Sequence, residues 1–181
     1  IIAADASWTA PALYFADERV IIPRISDSSY GEMLKKLIND FDIDLVVPTI
    51  DTELLSLTEL RSALEDNGKT KILLSSKTVI ETCRDKKATA DFLLKNGFMT
   101  PRVFIASEVT EENLPLFIKP NSGSSSIDAF KVTTLKQLNY LNDTIHDPLI
   151  QEFVEGDEYT VDVFLDFNHQ IVSMVSRLRL S

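Results

Sequence analysis

Along the first eighty residues, apolar runs of four or five residues alternate with stretches of helical period. IIAA, RVIIP, DLVVP and KILLS have the length and content of buried strands. Between them, Leu34, Leu37, Ile38 and Phe41 recur at helical spacing in YGEMLKKLINDF. Leu57, Leu60 and Leu64 do so in ELLSLTELRSALEDNG, where Gly68 is placed to end the helix. Strands that alternate with helices predict a parallel sheet covered by helices, here a small doubly wound α/β unit. DKKATADFLLKNG, from Asp85 to Gly97, reads as a further helix that buries Ala88, Phe92 and Leu93 and stops at a glycine suited to a left-handed cap.

A different pattern follows Thr100 and Pro101. VFI, LFIK and AFKV read as strands, and a helix is expected around Leu135, Leu138 and Leu141. LIQEF, EYTVDVFLD and QIVSMVSRLRL read as three more strands, the last two joined by a turn at Phe167 to His169. Tyr159, Val161, Val163 and Leu165 alternate with Thr160 and Asp162, the pattern of a sheet with one wetter face. The chain is thus expected to divide near residues 80 to 85, with α/β organisation over 1–82 and antiparallel-rich α+β organisation over 83–181.

Composition narrows the function classes. With 181 residues, 44% of them hydrophobic, the chain can build a real core as one domain or two small ones. A formal net charge of -10 and the lack of any basic block argue against nucleic acid or an anionic membrane surface as main partner. Cys83 is the single cysteine, which excludes an intrachain disulfide and an all-cysteine metal cluster; it suits a reducing compartment and is expected to be a buried structural thiol. No segment approaches the roughly 20 apolar residues of a membrane span, and IIAADASW lacks the basic flank of a signal peptide. The expected location is the cytoplasm. The chain starts at Ile1, inside what reads as a strand, so a longer parent protein is expected.

The chemistry concentrates in FIKPNSGSSSIDAFKV, Phe117 to Val132. Holding a polyphosphate requires cations and backbone N–H groups that can approach closely; small residues permit that approach, and serine hydroxyls add donors. Lys119, fixed between an apolar strand and Pro120, stands at the root of such a loop. An ordinary hairpin with a solvated lysine is the competing reading. The Walker pattern GxxxxGK[ST] and the dinucleotide pattern GxGxxG are both absent from the sequence. About thirty residues on, IQEFVEGDEYTVDVF sets an extended segment before two acids and a glycine. Its backbone at Glu152 and Val154 could meet the edge of a base, and Glu158 could accept from ribose hydroxyls; solvated acids are the competing reading here.

Taken in order, a DK pair opening a helix, KP before a small-residue loop, and QEFVEGDEYTVDV resemble the ATP-grasp superfamily. AADASWTAPALYFADERVIIP, DIDLVVPTIDTELLSL and SSKTVIETCRDKKATADFLLKNGFMTPRVF resemble carbamoyl-phosphate-synthase-like large chains and their carboxylate–amine ligase relatives, so that nearly the whole chain is covered. The resemblance implies a Rossmann-like parallel α/β pre-ATP-grasp domain, then the α+β small subdomain and the first strands of the large one. It implies an enzyme that uses ATP and Mg2+ to phosphorylate a carboxylate or bicarbonate, giving an acyl phosphate for an amine or ammonia to attack. Carried over by position, Lys86 and Lys119 would neutralise ATP phosphates, and Ser122, Gly123, Ser124, Ser125 and Ser126 would form the lid loop. Glu152, Phe153 and Val154 would be the adenine hinge and Glu158 the ribose acceptor, with Arg177 and Arg179 as candidates to meet the phosphoryl group or the acyl substrate.

Two departures accompany the resemblance. Asp128 stands where many relatives have glycine and is expected to substitute for it conformationally. The chain also ends at Ser181, ahead of the acidic and Asn metal ligands expected of the family, so a catalytically incomplete fragment is expected. His146 and His169 lack partner ligands in the sequence and support no metal site. The family reading allows a homodimer. A non-catalytic nucleotide-binding or regulatory module of the same fold is the alternative, and a dinucleotide-dependent oxidoreductase would need a glycine fingerprint before Ile1.

Overall fold

A computed structural model describes residues 1–123 and 127–180. The chain forms two compact units, Ile1–Thr89 and Ala90–Ser181. In the first, β1 (Ile2–Asp5) pairs in parallel with β2 (Glu18–Ile21), and β3 (Leu45–Val46) pairs in parallel with β4 (Lys71–Ile72). Three helices accompany them: α1 (Tyr30–Asp40), α2 (Leu54–Leu64) and α3 (Lys77–Arg84). The expected alternation of strand and helix is present, with the strands as two parallel pairs. The helix α3 went unread in the sequence because its eight residues bury Ile80 alone, too little for a visible stripe, and Cys83, expected to be buried, is exposed on it; Ser76 caps it by accepting from the Val79 amide.

The core of this unit is Ile22, Tyr30, Leu34, Ile38, Leu57, Leu64 and Ile72. Phe41, expected to join it, is instead the exposed cap residue of α1. Gly68 does not end α2, which is capped at Glu65; the glycine takes its positive φ in the turn three residues later. That turn serves β4. Asn67 accepts from the Lys69 and Thr70 amides, the fully buried Thr70 hydroxyl donates to the Ile43 carbonyl at 2.7 Å, and the Glu65 carboxylate accepts from the Ile72 amide at 2.8 Å. Side chains thus satisfy the backbone where a two-residue strand cannot.

The division between the units falls within α4 (Lys86–Lys95). Asp85 caps its start by accepting from the Ala88 amide at 2.8 Å. At its end, Phe98 donates to the Leu93 carbonyl and Gly97, at φ 79°, donates to that of Leu94, a Schellman closure that meets the glycine expectation. Of the expected stripe, Ala88 and Leu93 are half-buried and Phe92 falls outside it. Ala90 is buried and Leu93 half-buried, whereas Phe92 is 54% exposed, because the inward face of α4 runs through Lys86, Ala90 and Leu93.

The second unit holds an antiparallel sheet in the order β5 (Val103–Phe104), β8 (Pro148–Glu152), β6 (Leu116–Pro120), β7 (Phe130–Val132). One face packs Leu116, Ile118, Val132 and Ile150 against Leu138 and Leu141 of α5 (Leu135–Thr144). Thr134 caps α5 through the Gln137 amide, and Gln137 in turn accepts from Thr133. A separate hairpin pairs β9 (Tyr159–Leu165) with β10 (Ile171–Leu178). The expectation of one wetter face fails there: every residue of both strands is exposed, since no element of the described chain packs on either side of the hairpin. No helix among the described residues is long and apolar enough to cross a membrane.

Burial has an electrostatic consequence in the first core. The Tyr30 hydroxyl is pushed up to about 12 by burial first and the nearby Glu53 carboxylate second. A folded-state value above the unfolded one of about 10 contributes stability that is full below pH 10 and is lost as pH climbs towards 12. Denaturant unfolding between pH 8 and 11.5 should therefore fall more steeply for the wild type than for Tyr30→Phe, by on the order of 1–2 kcal/mol across that window. Parallel curves would show that Tyr30 ionises as freely folded as unfolded.

Candidate functional site

Alternation along β6 decides what the second unit shows to solvent. Leu116 and Ile118 point into the core, so Phe117 and Lys119 point away from it. Register adds the neighbours: Phe117 lies opposite Lys131 on β7 and Gln151 on β8, while Lys119 lies opposite Leu149. The face away from α5 therefore carries Lys119, Phe117, Lys131 and Gln151 side by side.

A cleft of about 460 Å³ opens at one end of this face, lined by Pro101, Phe117 and the continuous run from Gln151 to Glu158. The run leaves β8 at Glu152, whose amide donates to the Arg102 carbonyl at 2.8 Å and whose carboxylate accepts from the Arg102 amide at 3.3 Å. These bonds moor the start of the hinge to the neighbouring segment. Phe153 packs against Phe117, ring centroids 6.4 Å apart. Val154 is exposed, and Gly156 turns the chain at φ 149°, a conformation side chains rarely adopt, before Glu158. Glu152, Phe153, Val154 and Glu158 thus share one cavity.

Lys119 is half-buried and holds its ammonium 5.7 Å from the centroid of the Phe117 ring, beside the aromatic wall of the cleft. Past Pro120 the chain is pinned by Asn121. This side chain, 5% exposed, donates to the Asp147 carboxylate at 3.0 Å, and its amide donates to the Asp147 carbonyl at 2.9 Å. Ser122 and Gly123 follow, both exposed, with Gly123 at φ 100°; Ser124, Ser125 and Ser126 lie outside the described residues. Beyond them Asp128 adopts φ 54°, the left-handed backbone that was expected of an aspartate standing in for glycine.

Lys86 belongs to the other unit, at the first position of α4. Burial holds its amine below the ordinary lysine value, opposed by the Asp85 and Asp51 carboxylates. Arg177 and Arg179 sit on the hairpin, each facing an acid. Arg177 binds Asp162 through two nitrogens at 2.6 and 3.2 Å, and Arg179 binds the Glu158 carboxylate at 2.8 Å while its amide meets the Glu158 carbonyl. Glu158 therefore joins the cleft to Arg179. Among the described residues no three His, Cys, Asp or Glu side chains converge on a metal position.

Phe117, Gln151 and Lys131 were not singled out in the sequence. Phe117 had a signal, being two residues before Lys119 on a strand of period two. The other two depended on strand register, which the chain does not spell out.

The comparisons with known proteins fit this geometry. The family model described as the ATP-grasp domain matches residues 83–179, more than half of the chain. The chain belongs to the ATP-grasp family. A second model, for the PylC-like N-terminal domain, matches residues 1–73. This ATP-grasp chain is 37% identical over 133 residues to a formate-dependent phosphoribosylglycinamide formyltransferase of Prochlorococcus marinus, covering 69% of the chain and 32% of that protein. It is 36% identical over 97 residues to a D-alanine–D-alanine ligase of Clostridium perfringens, covering 45% of the chain and 31% of that protein. The match thus spans about a third of the length of these curated relatives. Among solved structures, biotin carboxylase of Campylobacter jejuni superposes with a TM-score of 0.71 over 94% of this chain and 43% of its own, at 13% identity, a likeness of fold.

The Asn121 anchor fixes the chain directly after Lys119. Asn121→Ala removes the part-buried side-chain bond to the Asp147 carboxylate while keeping the backbone one, and should lower the unfolding free energy by about 1–3 kcal/mol in urea titrations. An unchanged midpoint would show that the anchor is dispensable.

Proposed function

We propose that this chain is the ATP-binding part of an ATP-grasp ligase of the carbamoyl-phosphate-synthase-like type, acting in the cytoplasm on a small carboxylate or bicarbonate and an amine or ammonia. A carboxylate oxygen attacks the terminal phosphorus of ATP, forming an acyl phosphate and ADP. The amine nitrogen then attacks the acyl carbon, and phosphate leaves. A carboxylate is a poor electrophile until it carries such a leaving group, and the barrier is lowered chiefly by holding phosphate charge in place.

The observation that carries this reading is the cleft of the second unit, where an aromatic wall, a hinge of backbone groups and an acid follow one another, with the Lys119 ammonium 5.7 Å from the Phe117 ring of that wall. The base would lie against Phe117 with its edge towards the Glu152 carbonyl and the Val154 amide. Gln151, also lining the cleft, has an amide that can both donate and accept. Glu158, oriented by Arg179, would take the ribose hydroxyls, and Lys119 would meet the phosphates at the root of the serine loop. Lys86 is assigned a second phosphate contact by its place at the head of α4. Bound magnesium would spread phosphate charge, and among the described residues no three His, Cys, Asp or Glu side chains gather to hold it.

Two substitutions test the assignment by calorimetry. Lys119→Ala should weaken ATP binding by about 1.5–3 kcal/mol, the value of a hydrogen bond to a charged group, and leave adenosine nearly unaffected. Equal weakening of both would trace the loss to folding. Glu158→Gln should instead weaken ATP and adenosine alike and spare inorganic tripolyphosphate, since the ribose loses a charge-assisted acceptor. Unchanged adenosine affinity would remove Glu158 from the ribose site.

A further inference from the structure

Lys131 lies on the edge strand β7, directly across β6 from the hinge side of the sheet. Its ammonium stands 3.9 Å from the centroid of the Phe153 ring and 3.5 Å from a Glu155 carboxylate oxygen. Phe153 and Glu155 flank Val154. One side chain therefore grips the hinge on both sides of the amide assigned to the base, and it does so over Phe117, its own register partner.

Lys131 has an aromatic face and an acid already arranged around its charge. A cation matched in this way is poorly suited to an incoming phosphate and well suited to holding a segment still. The hinge needs holding, because beyond Glu152 it has left the ladder of β8 and must stay in register to within a few tenths of an ångström for one carbonyl and one amide to read a base edge.

We propose that Lys131 is a positioning residue that fixes the hinge at Phe153 to Glu155 and thereby sets the preference of the cleft for an adenine over a guanine edge. Guanine reverses the donor and acceptor order that adenine presents, so the discrimination depends on the hinge backbone remaining where Lys131 holds it. The inference rests on the nucleotide reading of the cleft given above.

The test measures binding of adenosine, ATP, GTP and inorganic tripolyphosphate to the wild type and to Lys131→Met, Lys131→Arg and Glu155→Gln. Lys131→Met keeps the apolar stem but loses the charge. It should weaken adenosine and ATP by about two- to thirtyfold, the span of a cation–ring contact, leave GTP and tripolyphosphate unchanged, and so narrow the ATP to GTP ratio. Lys131→Arg, which keeps both contacts, should restore most of that ratio. Glu155→Gln, at an exposed position where folding is not at stake, should produce a smaller loss in the same direction. A loss of tripolyphosphate binding in Lys131→Met would make Lys131 a phosphate ligand and overturn the proposal, as would an unchanged ATP to GTP ratio in both Lys131→Met and Glu155→Gln. A wild type that binds no adenosine would overturn the nucleotide reading itself and this inference with it.

Discussion

The second unit depends on the packing of one face of its four-stranded sheet against α5. Leu116, Ile118 and Val132 lose all solvent contact there, and burying three aliphatic side chains stabilises the sheet by roughly 1.5–3 kcal/mol each. Because side chains alternate along a strand, fixing those residues inward also fixes Phe117, Lys119, Lys131 and Gln151 outward. A slip of one residue would exchange the two sets and bury two lysines, which is why the register is so strongly specified. The candidate site is in this sense the reverse side of the core.

On that outward face the charges are arranged rather than abundant. The chain carries ten more acids than bases, yet the cations near the cleft are each given a defined surrounding: Lys119 beside Phe117, Lys131 between Phe153 and Glu155, and Arg179 on Glu158. Aromatic faces let a cation stay partly desolvated. The hinge acids Glu155 and Glu158 face Lys131 and Arg179, so an acidic protein holds positive charge at defined positions beside the cleft.

The backbone supplies the remaining geometry through residues that tolerate unusual angles or tie loops to strands. Gly156 turns the hinge towards Glu158, Asp128 takes a left-handed conformation, and Asn121 joins the root of the serine loop to Asp147. In the first unit the same economy appears in the Asn67, Thr70 and Glu65 contacts, which hold two very short parallel strands in place. The parallel ladders of the first unit are brief, and side-chain bonds complete the shorter of them.

Much of the fold was legible because burial leaves a periodic trace. The strands LFIK, AFKV, LIQEF and EYTVDVFLD, the helices α1, α2 and α5, and the glycine closure of α4 follow from local spacing alone, and the order of the DK, KP and QEFVEGDEY segments was sufficient to identify the family. Tertiary structure alone decided the rest. α3 hides because it buries a single residue; Phe92 is exposed because the face of α4 is set by what packs on it, and the hairpin is wet on both sides because nothing in the described chain covers it. The partnership of Phe117, Lys131 and Gln151 depends on which strands pair and in what register, as does the grip of Lys131 on the hinge. Phe117 meets Lys131 14 positions and Gln151 34 positions further along the chain through hydrogen-bond ladders, and no local pattern encodes such pairing.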